Sequence, residues 1–153
     1  MNEAPGTIKA QRTMLIVDDQ QSVRTTLDYL LGFDGYRVLT AESGTAAIAL
    51  AERERIDGAM IDVHMPVMDG FAACERLQAI TQALGRPLKV WFMSGAVSGA
   101  LRRRSVELGA LGVFSKPFDP ADLSSRLEAG FLPPPIAAAP PAPKPPGEEE
   151  VQP

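Results

Sequence analysis

Residues 14–19 read Met-Leu-Ile-Val-Asp-Asp, four apolar residues that stop on two acids. The run is too short and too continuous for an amphipathic helix, so it reads as a strand buried on both faces. Working outward, Val23, Leu27, Leu30 and Leu31 recur at helical spacing, and Gly32 and Gly35 close that helix. Tyr36 to Thr40 is a second strand, Ser43 to Arg55 an alanine-rich helix, and Gly58 to Ile61 a third strand. The loop VHMPVMDG leads into a helix from Gly70 to Thr81, and Gly85 and Pro87 break the chain before the strand KVWFM. Ala100 to Leu108 is a helix ended by Gly109, and Gly112 to Ser115 is the fifth strand. Asp119, Pro120 and Asp122 supply an N-cap, a first-position proline and a first-turn acid for a last helix reaching Gly130. Five strand–helix alternations with short links predict an α/β domain whose parallel sheet is covered on both faces.

Composition sets the bounds. A chain of 153 residues, 45% hydrophobic, suits one domain with a real core. A net charge of −4 argues against a nucleic-acid binder, which needs a basic surface. The single Cys74 excludes an intrachain disulfide and points to a reducing compartment. No apolar run approaches the roughly 18 residues of a membrane span, and the N-terminus carries no signal-peptide core, so the expectation is a cytoplasmic chain without membrane contact. Residues 1–12 read as a polar leader and 13–130 as the domain. Residues 131–153 read as a proline-rich disordered tail, with the change of composition sharpest from Pro133. That tail is read as extended and partly polyproline II, either a solvated linker or a docking motif for a proline-reading partner.

The chemistry lies at the strand ends. In a parallel sheet the C-terminal ends of neighbouring strands meet in one crevice. That arrangement would gather Asp18, Asp19 and Asp62 with Ser94 and Lys116. Two carboxylates about 5 Å apart repel by roughly 3 kcal/mol at an effective dielectric of 20. Lys116 offsets one of the three charges. A residual charge near −2 presented by oxygen atoms suits Mg²⁺, with Mn²⁺ as a substitute.

These residues support a resemblance. VDD at 17–19, D-x-x-M-P-x-x-D-G from Asp62 to Gly70, Ser94-Gly95 and K-P-F at 116–118 together resemble the receiver domain of two-component response regulators, above all its single-domain, chemotaxis-type members. The resemblance covers Thr13 to Gly130. It implies a flavodoxin-like, doubly wound five-stranded sheet of order 2-1-3-4-5 with five helices. It implies Asp62 as phosphoacceptor, attacking a phosphohistidine on a histidine kinase or histidine phosphotransfer protein. Asp19 and Asp62 would bind Mg²⁺ directly and Asp18 directly or through water, with the His64 backbone carbonyl completing the set. Ser94 and Lys116 would hold phosphoryl oxygens, and the Lys116–Pro117 bond would be cis. Such a domain catalyses only its own Mg-dependent phosphorylation and dephosphorylation and is otherwise not an enzyme. Its output would be a protein-binding face for an unknown downstream target, with no direct DNA binding.

One position departs from the family pattern. Members commonly carry Tyr or Phe three residues before the lysine, where this chain has Val113, so output is expected to rest on loop and helix motion. His64 reads equally as a gate beside the phosphoryl group or as an exposed loop side chain. Cys74, Trp91 and Phe92 read as core, and Arg102, Arg103 and Arg104 splay over different faces of their helix. Two other functions compete. An Mg-dependent aspartate-nucleophile phosphohydrolase would need a second acid where His64 stands. A non-phosphorylated receiver-like binding module would be expected to lack one of the acids.

Overall fold

The structure, a computed structural model, describes residues 11–132. The strands are β1 (Thr13–Val17), β2 (Arg37–Ala41), β3 (Gly58–Asp62), β4 (Lys89–Ser94) and β5 (Gly112–Ser115). The helices alternate with them: α1 (Gln21–Phe33), α2 (Gly44–Arg53), α3 (Gly70–Ala83), α4 (Gly99–Glu107) and α5 (Pro120–Phe131). All five strands are parallel in the order β2-β1-β3-β4-β5, the doubly wound order the resemblance implied. β2 is an edge strand and half exposed, whereas every residue of β1 and β3 is buried.

The continuous apolar runs hide a period of two. Leu15, Val17, Ala59, Ile61, Val90, Phe92 and Val113 face one layer, where Ala47, Ala51, Ala73, Leu77 and Leu101 of α2, α3 and α4 meet them. Met14, Ile16, Met60, Trp91, Met93 and Phe114 face the other, against Leu27, Leu31, Leu123 and Leu127 of α1 and α5. Trp91 and Phe92, adjacent in β4, thus anchor opposite layers. Cys74 is buried in the first, as its sequence context predicted.

Local chemistry sets the boundaries. Ser43, Asp69, Ser98 and Asp119 each cap a helix, their side-chain oxygens accepting the backbone N–H three residues on. Gly35, Gly85 and Gly109 follow helices at positive φ, which only glycine adopts without a steric cost. The packed unit reaches one residue further at each end than the composition indicated. Phe131 belongs to α5 and stacks against Trp91 and Tyr36, with the Arg12 guanidinium over its ring. The rest of the leader and the proline-rich tail lie outside the described residues. No helix among the described residues is long and apolar enough to cross a membrane.

Candidate functional site

β1 delivers Asp18 and Asp19 immediately past its last residue, and β3 ends on Asp62. Because β1 and β3 are hydrogen-bonded neighbours, one carboxylate oxygen from each of the three acids lies within 4.8 Å of the others. Asp18 is wholly buried, Asp62 nearly so, and Asp19 stands exposed at the mouth. Lys116, one residue beyond β5, enters across the sheet through a cis Lys116–Pro117 bond. Its Nζ donates to Asp18 Oδ2 at 2.7 Å and lies 3.4 Å from Asp62 Oδ1.

The electrostatics follow from burial. Loss of solvent raises the Asp62 pKa, and the Asp18 charge raises it further; the Lys116 ammonium and the His64 backbone N–H only partly oppose them. Burial pulls the Lys116 pKa down, but its hydrogen bond to Asp18 and the charges of Asp18 and Asp62 outweigh that, and the ammonium is held above its ordinary value. Three carboxylates and one ammonium leave a formal charge of −2. The donors are all oxygen, with no thiolate or imidazole among them, so the pocket fits a hard divalent cation of the Mg²⁺ class.

The structure separates the remaining sequence-picked residues. Ser94 is fully buried at the end of β4, but its hydroxyl donates to the Ala96 carbonyl at 3.0 Å and accepts the Ala96 N–H at 3.1 Å, turned into its own loop. His64 is exposed in the β3–α3 loop, with its backbone at Asp62 and its side chain at the surface. Val113 is buried inside β5. Arg104 bridges Glu75 and Glu107 and lies over Phe71, while Arg102 and Arg103 are exposed.

Two positioning residues escaped the sequence reading. Arg24 of α1 donates to the Asp18 carbonyl at 2.7 Å while the Gln20 N–H binds Asp18 Oδ1 at 2.9 Å, so Asp18 is held at three of its oxygens. A signal existed: α1 has no side-chain cap and no acid in its first turn, and it carries a cation near its positive end. Gly70, read in the sequence only as the end of a motif and the start of a helix, is the second. A methyl group there would overlap the Asp62 carbonyl and come within 2.8 Å of Val63 Cα, so α3 can start against the end of β3 only at glycine.

A family model for the response regulator receiver domain matches residues 14–128, well over half of the chain. The protein belongs to the response regulator receiver family. Sporulation initiation phosphotransferase F of Bacillus subtilis is 34% identical over 120 residues, covering 78% of this chain and 93% of that protein. The alkaline phosphatase synthesis transcriptional regulatory protein PhoP of B. subtilis is 34% identical over 118 residues, 77% of this chain but 48% of the relative. The chain thus spans about half the length of the transcriptional regulators it matches. Among solved structures, the Vibrio cholerae chemotaxis protein CheY4 superposes with a TM-score of 0.73 at 32% identity, covering 80% of this chain and all of that one. This chain is therefore a receiver domain of two-component systems, and its cluster of three acids is consistent with the acidic pocket at which receivers bind Mg²⁺.

Proposed function

We propose that this receiver accepts a phosphoryl group on Asp62 from the phosphohistidine of a histidine kinase or histidine phosphotransfer protein, and thereby switches a protein-binding face. The observation that carries the proposal is the Lys116 ammonium, set against both Asp18 and Asp62 at the C-terminal ends of the sheet. A carboxylate oxygen of Asp62 attacks phosphorus, the phosphorus–nitrogen bond to the donor imidazole breaks, and an acyl phosphate forms. The transfer requires in-line placement and charge neutralisation. Lys116 is already within reach of the incoming oxygens. Asp18, clamped by Arg24, Gln20 and Lys116, fixes the ammonium in turn. Asp18, Asp19, Asp62 and the His64 carbonyl would hold a bound Mg²⁺, which would neutralise phosphoryl charge.

The switch is supported by what the Ser94 hydroxyl does now. It satisfies itself on Ala96, and a phosphoryl group on Asp62 adds acceptor oxygens that compete for it. Turning Ser94 towards the pocket would draw the β4–α4 loop with it, without an aromatic residue at position 113. Likeness over 93% of the length of sporulation initiation phosphotransferase F favours phosphoryl transfer, rather than direct DNA contact, as the work of these residues. The domain would act as a phosphoryl acceptor with self-limited dephosphorylation, not as a turnover enzyme, and the lone buried thiol fits a reducing cytoplasm. The test is phosphotransfer from a panel of phosphorylated histidine kinases. Wild-type protein should acquire label in the presence of Mg²⁺ and Asp62→Asn should acquire none; equal labelling of the two would remove Asp62 from its role.

A further inference from the structure

Helices α1 and α5, on the sheet face away from α2, α3 and α4, leave a cleft of about 380 Å³ between them. Tyr29, Leu30, Phe33 and Asp34 of α1 and its C-cap line one side, with Pro120, Ala121 and Ser124 of α5 opposite. Tyr29 is 71% exposed and Phe33 82%, one helical turn apart, so no described residue covers the outer faces of two aromatic side chains beside a formed groove. The Ser124 hydroxyl donates to the Asp34 carboxylate, tying the two walls together and setting an acid at the groove's edge.

We infer that this groove is the seat of the chain's own proline-rich segment, residues 140–146, lying across Tyr29 and Phe33. Three observations select that occupant. The first is reach. Ser124 is eight residues before Leu132, about 12 Å along α5, and residues 133–139 would cover about 22 Å in a polyproline II conformation. The second is periodicity. Pro140, Pro143 and Pro146 recur every third residue, so in that conformation they form one ridge, and aromatic ledges take up such ridges. Proline adds no backbone donor to be satisfied and has little conformational freedom to lose. The third is charge. Lys144 is the one basic residue in 133–153 and falls inside this segment, where Asp34 offers a partner. The contact covers an apolar face beside the helix that follows the Asp18–Asp19 pair.

A spin label tests the inference in the full-length protein. Cys74 is buried, so a nitroxide attaches selectively at Ala142→Cys. The expected result is loss of the Tyr29, Phe33 and Ser124 amide signals, recovered on reducing the nitroxide, while amides of α3 on the far face keep their intensity. The loss should persist on dilution and disappear in Phe33→Glu, a change at an exposed position. Equal broadening on both faces would overturn the inference. So would survival of the effect in Phe33→Glu. Disappearance on dilution would overturn it in favour of a second copy of the chain as the occupant.

Discussion

Lys116→Met removes the ammonium from the acid pocket and keeps a flexible, unbranched side chain in its place. At 2.7 Å from Asp18 and 3.4 Å from Asp62, the ammonium's attractions are about 6 and about 5 kcal/mol at an effective dielectric of 20. Those gross values are offset by the cost of desolvating the lysine. Removing one partner of a buried pair costs about 3–5 kcal/mol net, because the remaining charge is stranded. With the Lys116 side chain 19% exposed and Asp18 fully buried, the lower end applies, about 3 kcal/mol. With m of about 1.5–2 kcal/mol/M, the urea midpoint at pH 7 without divalent ions should fall by about 1.5–2 M. Mg²⁺ should then stabilise the variant more than the wild type, since the same oxygens now carry a formal −3. The raised Lys116 pKa fixes the alkaline limb. The ammonium's contribution is complete below its ordinary value of 10.5 and fades as pH rises through the higher folded-state value, so the two proteins should converge there. A loss under about 1 kcal/mol, the worth of an exposed ion pair, would refute the reasoning. Equal Mg²⁺ stabilisation of both proteins would show that the acids' charge is not what the ion senses.

Asp62 gives the opposite acid limb. Its pKa is raised, so the folded state binds its proton more readily and its contribution worsens as pH rises from the ordinary 3.8 through the folded value. The stability of Asp62→Asn relative to wild type should therefore increase across that window and level off above it, measured by urea titration at successive pH values without metal; a decrease would contradict the assignment. Gly70→Ala should destabilise by about 2 kcal/mol or more through overlap with the end of β3, and chemical shifts around Asp62 should move with it. Burial, then the Glu75 charge, pushes the Cys74 thiol up to about 11, so a thiol reagent at pH 8 should react only as the protein unfolds; prompt labelling of the native protein would place Cys74 elsewhere.

The strands were legible because a parallel sheet covered on both faces demands unbroken apolar runs, and Met14–Val17 and Ala59–Ile61 are such runs. Asp18, Asp19, Asp62 and Lys116 were legible because each stands where a run ends. Ser94 also stands at a run's end, yet its hydroxyl is turned into its loop. It continues the pleat of Phe92, which faces α2–α4, whereas Asp62 pairs in register with Met93, which faces α1 and α5. A strand end specifies height in the sheet but not the face from which a side chain enters. Arg24 was passed over because its partner is a backbone carbonyl, which a sequence does not mark; a cation placed against the positive end of α1 was the one hint.

By itself, the order of residues determined the alternation of elements, their caps and the set of groups delivered to one edge of the sheet, since these depend on periodicity and nearest neighbours. Only the tertiary structure decided which acid the lysine takes: Asp18 at 2.7 Å before Asp62 at 3.4 Å, across 98 and 54 residues of chain. It also set Tyr29 and Phe33 exposed, among the described residues, beside a groove between two helices that no local pattern brings together. Coulomb energies and exposure depend on distances in space, and those exist only once the sheet has set β1, β3 and β5 side by side in their final order.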